Sequence, residues 1–136
     1  MNPSHRIIVC DDQKDTASTL AEVLRISGYE VFSCFDGEAC LEKAKTWEPH
    51  AAIVDIGLPG LTGYDLARAL RAFPSGGNLL LIAVTAYGSP EHVKEAKLAG
   101  FDWHFQKPAR VSSIIDVLRD SGSVADGGTR LRLGHT

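Results

Sequence analysis

Residues 51–71 read AAIVDIGLPGLTGYDLARALR. The run Ala51–Val54 is apolar, has the length of a short strand and stops at a lone acid, Asp55. Gly57, Pro59, Gly60 and Gly63 then supply a loop rich in turn residues. Leu66, Ala67 and Leu70, continued by Phe73, return at helical spacing along one stripe, until residues 74–78 break the pattern. The segment is a strand, a loop and a helix, with one carboxylate at the carboxyl end of the strand.

The same unit recurs outward in both directions. Residues 7–10 form an apolar run ending at Asp11 and Asp12, and residues 15–27 carry Leu20, Val23, Leu24 and Ser27 at helical spacing before Gly28. A second strand spans residues 29–35. The helix after it, Gly37–Trp47, aligns Cys40, Leu41, Ala44 and Trp47 on one face and ends at Glu48-Pro49. Residues 79–84 are almost wholly apolar, as suits a central parallel strand covered on both faces, and stop at Thr85. Ser89-Pro90-Glu91 opens a fourth helix with a capping hydroxyl, a proline for the first turn and an acid at the positive dipole end, and Gly100 closes it. A fifth strand over residues 102–106 precedes Lys107, and Val111, Ile114, Ile115 and Leu118 stripe a fifth helix. Strand and helix alternate five times. This predicts a doubly wound α/β domain over residues 5–120, a five-stranded parallel sheet with right-handed crossovers and helices on both faces. Residues 121–136, with Gly122, Gly127, Gly128 and Gly134 and little apolar periodicity, read as a loose, flexible C-terminal tail.

The 136 residues are 44% hydrophobic and 23% charged, which suits one domain with its own core. A formal net charge of -3, with Lys and Arg spread along the chain, leaves no electrostatic footprint for nucleic acid. No apolar run approaches the roughly 18 residues of a membrane span, so no membrane insertion is expected. Cys10, Cys34 and Cys40 form no CxxC pair and read as small apolar packing groups in a reduced, cytoplasmic setting.

Open α/β sheets bind ligands outside the carboxyl ends of their strands, so Asp11, Asp12, Asp55, Thr85 and Lys107 are expected at one sheet edge. Converging carboxylates repel one another unless a cation joins them, and an all-oxygen set suits a hard ion such as Mg2+ better than zinc. The histidines show no metal-ligand spacing. Asp55 is the candidate nucleophile, since a carboxylate can attack phosphorus to give an acyl phosphate once cations neutralise the phosphoryl oxygens. Lys107 is one such cation, Thr85 offers a hydroxyl, and the small Ala86 leaves access for a phosphodonor or water. Each of these residues taken singly also has a plain structural reading, as a cap, a strand end or a surface lysine.

Together, IIVCDD (7–12), AAIVDIGLPGLTGYDLARALR (51–71), LIAVTAYG (81–88) and AGFDWHFQKPA (99–109) resemble the receiver domain of two-component response regulators. The resemblance covers nearly all of residues 6–120 and is nearest to receivers of hybrid sensor kinases and their stand-alone relatives. It implies the flavodoxin-like strand order 2-1-3-4-5 and phosphoryl transfer from a phosphohistidine to Asp55. The donor so implied is a sensor histidine kinase or a histidine phosphotransfer protein. It also implies that Asp12 binds magnesium directly and Asp11 mainly through water, with the Gly57 carbonyl as a further ligand. By the same resemblance Thr85 and Lys107 would hold the phosphoryl oxygens, and the Lys107-Pro108 bond would be cis. Such a domain catalyses only its own phosphorylation and dephosphorylation and otherwise signals. In the family Thr85 shifts toward the phosphoryl group while a strand-5 residue, often Tyr or Phe, turns inward. The change is read by a downstream target on the face made by helix 4, strand 5 and helix 5. That strand position is His104 here, which can titrate and hydrogen-bond where an aromatic packs. Ala109 and Thr62 stand where an aromatic and an acid are common, differences that bear on partner fit. Trp103 and Phe105 are expected to pack against helix 5.

With no output segment read in the chain, the expected action is docking or onward phosphotransfer. One alternative is a magnesium-dependent aspartyl-phosphate phosphatase of haloacid-dehalogenase type, which places its two acids two residues apart, whereas Asp11 and Asp12 are adjacent and Gln13 follows. A flavin-binding module is the other, but the loop after strand 1 lacks the Ser and Thr cluster that a flavin phosphate requires.

Overall fold

The computed structural model describes residues 5–120 and 127–132. The elements alternate as β1 (Arg6–Cys10), α1 (Lys14–Ile26), β2 (Glu30–Cys34), α2 (Gly37–Trp47), β3 (Ala51–Val54), α3 (Gly63–Arg71), β4 (Leu80–Thr85), α4 (Pro90–Ala99), β5 (Trp103–Gln106) and α5 (Val111–Arg119), with a short β6 (Gly128–Arg130). The sheet order is β2-β1-β3-β4-β5-β6. The first five strands are parallel, in the expected doubly wound flavodoxin-like arrangement, with β4 inside the sheet. No helix among the described residues is long and apolar enough to cross a membrane.

The sheet differs from the five-stranded expectation, because β6 adds a sixth strand antiparallel to β5, pairing Trp103 with Arg130, His104 with Thr129 and Phe105 with Gly128. Residues 127–132 are therefore not a loose tail; the rest of that predicted tail, 121–126 and 133–136, lies outside the described residues. The physical reason is an open edge. Without β6, β5 would present unpaired backbone groups to solvent. Leu131 follows the strand into the core at 7% exposure, and its amide donates to the Asp102 carbonyl at 2.8 Å. One apolar residue among glycines and arginines has no periodicity, so sequence pattern does not reveal it.

Alternate residues of each inner strand feed opposite sides of the sheet. Ile7, Val9, Ala51, Ile53, Leu80 and Ile82 pack with residues of α1 and α5, while Ile8, Cys10, Ala52, Val54, Leu81 and Ala83 pack with α2, α3 and α4. Both faces are thus covered, which is why these strands read as continuous apolar runs. Trp103 and Phe105 join the α5 side as expected, with ring centroids 5.9 Å apart.

Local chemistry sets the helix ends near the site. Ser89 caps α4 through the His92 amide, Pro90 occupies its first turn, and Gly100 closes it at a φ of 109°, a left-handed conformation that costs glycine little. Thr62, where an acid is common in the resembling family, caps α3 by accepting from the Asp65 amide at 3.2 Å. Gly63 opens that helix because a Cβ there would come 2.7 Å from the Asp55 carbonyl oxygen. At the opposite end of the sheet, Arg71 of α3 reaches the buried Asp102 at 2.7 Å and the Gly100 and Gly76 carbonyls, tying α3 to the turn that enters β5.

Candidate functional site

The chain order of the strands reverses between β1 and β3, and the site lies at their carboxyl ends. The ladder runs one residue past the strands: the Asp11 amide donates to the Cys34 carbonyl at 3.1 Å and the Asp55 amide to the Cys10 carbonyl at 2.9 Å. Two adjacent parallel strands therefore end in acids at the same level. Asp11, Asp12 and Asp55 each offer a carboxylate oxygen within 4.8 Å of the others, Asp12 exposed and the other two buried. On the far side of β4 the Lys107 amide donates to the Thr85 carbonyl at 2.7 Å, and the Lys107-Pro108 bond is cis. Lys107 reaches back across the sheet, its Nζ 2.8 Å from Asp11 Oδ2 and 3.1 Å from Asp55 Oδ2.

The remaining carboxylate oxygens are oriented by backbone. Asp11 Oδ1 accepts from the Gln13 amide and Asp55 Oδ1 from the Gly57 amide, both at 3.0 Å. Burial, helped by the Asp55 charge, pushes the Asp11 carboxyl above its ordinary range despite its bonds from Lys107 and Gln13. Burial alone would lower Lys107, but the hydrogen bonds to Asp11 and Asp55 outweigh it and hold the ammonium above its usual value. The two shifts are consistent. One ammonium serving two buried carboxylates is oversupplied with negative charge, and each acid is undersupplied with positive charge. A site one cation short, lined by oxygen donors only, fits Mg2+ with waters or phosphate oxygens completing its shell.

Thr85, fully buried, takes no part in these ion pairs; its hydroxyl accepts from the Tyr87 amide at 3.2 Å. Ala86 beside it is exposed. His104 is only 2% exposed, and its Nε2 lies 2.9 Å from the Tyr87 carbonyl. That oxygen can only accept, so Nε2 carries the proton. The Tyr87 backbone thus joins Thr85 to His104, a role that sequence reasoning missed. Its ring also stacks on His92 at 5.0 Å and packs over Gly57, where an added Cβ would meet the ring at 3.0 Å. The only signal was an aromatic two residues past Thr85. Beside Lys107, a largely apolar groove of about 600 Å3 opens between α1 and α5, lined by Thr16, Leu20, Val84, Pro108, Ala109 and Ile114 among others.

The chain belongs to the response regulator receiver domain family, which it matches over residues 7–119. It is similar to the sporulation initiation phosphotransferase F of Bacillus subtilis, 28% identical over 116 residues that cover 85% of this chain and 92% of that protein. The transcriptional regulatory protein PrrA of Mycobacterium bovis is 32% identical over 126 residues, 90% of this chain but only 53% of that longer protein. Among solved structures, one similar fold is a response regulator protein from Burkholderia pseudomallei with a phosphorylated aspartic acid, a calcium ion and citrate. It is 27% identical with a TM-score of 0.79, over 87% of this chain and 68% of that one. The protein is a receiver domain of two-component signalling, phosphorylatable on aspartate. Neither the fold nor these relatives lend support to the haloacid-dehalogenase alternative.

Proposed function

We propose that Asp55 is the phosphoacceptor and that Asp11, Asp12, Asp55 and the Gly57 carbonyl hold Mg2+ beside it. The observation that carries this reading is the placement of Asp55 at the β1/β3 switch point, grouped with two further acids and ion-paired to Lys107. An Asp55 carboxylate oxygen attacks the phosphorus of a phosphohistidine; the P–N bond breaks and its electron pair stays on the imidazole. Bound magnesium supplies positive charge against the phosphoryl oxygens. Lys107 exchanges part of its pairing with Asp55 for a phosphoryl oxygen, and Thr85 turns its hydroxyl from the Tyr87 amide toward another. Exposed Ala86 leaves the approach open. The Thr85 movement releases the Tyr87 segment and with it His104, which makes Thr85 and His104 the switch and the face of α4, β5 and α5 its output.

The domain acts on no other substrate: it catalyses only its own phosphorylation and dephosphorylation. Its donor is a sensor histidine kinase or a histidine phosphotransfer protein, and the apolar groove beside Lys107 suits a donor helix laid against α1 and α5. A cytoplasmic setting suits the three free thiols. The test is incubation with acetyl phosphate and magnesium, read by intact-protein mass spectrometry. The parent should gain one phosphoryl group and Asp55→Asn none; equal uptake by the variant overturns the assignment.

A further inference from the structure

One residue inward from the acids, the fold gathers a second donor set of opposite character. Cys10 and Cys34 are direct partners across the parallel pair β1 and β2, so their side chains share one face of the sheet. Cys40, in the first turn of α2, packs against that face. The three thiols are free, with residue exposures of 0%, 3% and 0%, and their sulfurs all lie within 4.8 Å of one another. Cys10 Sγ donates to the Asp36 carbonyl at 3.3 Å and Cys34 Sγ to the Val9 carbonyl at 3.7 Å; the convergence of all three sulfurs adds a metal-binding capacity beyond these two bonds.

The chemistry of the set selects the ion. Thiolate sulfur is a soft donor that prefers Cu(I), zinc or iron–sulfur centres over magnesium or calcium. Among the described residues no His, Asp or Glu joins the three sulfurs, and their burial excludes water as a fourth ligand. A structural zinc site wants four ligands in a tetrahedron, whereas a closed set of three leaves it one short.

We propose that Cys10, Cys34 and Cys40 form a closed three-sulfur site for a soft monovalent ion, Cu(I) before others. Each sulfur–copper bond replaces a sulfur–hydrogen bond, the proton leaves to solvent, and copper stays Cu(I), so no oxidant or reductant is needed. The site is independent of the phosphoacceptor reading. It is tested on the reduced full chain under nitrogen, by titration with the Cu(I)–bicinchoninate complex. The expected result is removal of one Cu(I) per chain, undisturbed by excess zinc, with Cys34→Ala and Cys40→Ala each weakening uptake at least about tenfold. X-ray absorption on the copper-loaded parent, which needs no variant to fold, should show three sulfur neighbours and no nitrogen or oxygen. Uptake unchanged in both variants, displacement by zinc, or a light-atom neighbour overturns the proposal.

Discussion

Lys107 divides one positive charge between Asp11 at 2.8 Å and Asp55 at 3.1 Å, and Asp12 adds a third acid beside them. The imbalance is local, set by side chains that three different strand ends contribute. His104 is the other residue whose protonation is decided by its surroundings. Burial, reinforced by the nearby His92 charge, lowers its pKa from the ordinary 6.5, and the bond to the Tyr87 carbonyl only partly opposes this. The sign follows from linkage: between the lowered folded value and about 6.5, the unfolded chain binds the proton more readily, so stability falls as pH drops through that window. His5 and His50 are lowered too, chiefly by burial, so the parent slope is shared. His104→Gln keeps a donor for Tyr87 but cannot titrate. Urea denaturation at neutral pH and at about pH 5 should show a shallower loss for the variant than for the parent. Identical slopes would mean that His104 does not ionise differently on folding.

At the scale of elements, β6 changes what the β5 edge can do. Its three residues pair with Trp103, His104 and Phe105, and the Gly128 backbone lies so close to the Phe105 ring that a Cβ would meet it at 2.6 Å. Part of the face expected to engage a downstream target is thus occupied by the chain itself. A chain ending at Asp120 would expose the β5 edge and lose the burial of Leu131, worth about 2 kcal/mol. Sedimentation should then show concentration-dependent association, and denaturation a lower midpoint. A truncated chain that stays monomeric and equally stable would show that β6 contributes nothing to either. The Arg71–Asp102 pair matters at the same scale, since it joins the end of α3 to the start of β5 across the molecule.

For the whole molecule, ion binding and folding are linked because the unfolded chain cannot bring Asp11, Asp12 and Asp55 together. Magnesium at about a hundredfold its dissociation constant should raise unfolding stability by roughly 2.7 kcal/mol. Asp12→Ala, altered at an exposed position, should keep the fold but forgo most of that gain at the same magnesium concentration. Equal stabilisation of both proteins would remove Asp12 from the ligand set.

Much of this was legible along the chain. Gly37–Trp47 and Ala51–Val54 have in the structure the limits that their apolar patterns and punctuation imply, and the Ser89, Pro90 and Gly100 signals frame α4 as expected. The acids, Thr85 and Lys107 were legible because each lies at or just past the end of an apolar run. Three features were not: the antiparallel return of β6, the position of Tyr87 between Thr85 and His104, and the convergence of Cys10, Cys34 and Cys40. The cysteines are dispersed in sequence with no ligand spacing, and only the pairing of β1 with β2 and the packing of α2 unite them.

By itself, then, the sequence determined the alternation of strands and helices, the doubly wound class and the residues presented at the strand ends. Hydrophobic period, caps and turn residues act over a few neighbours and are written in local order. Tertiary structure alone decided how one ammonium is shared by two acids, what covers the β5 edge and where three sulfurs come together. Those outcomes depend on strand register and layer packing between segments tens of residues apart, and no local pattern encodes such distances.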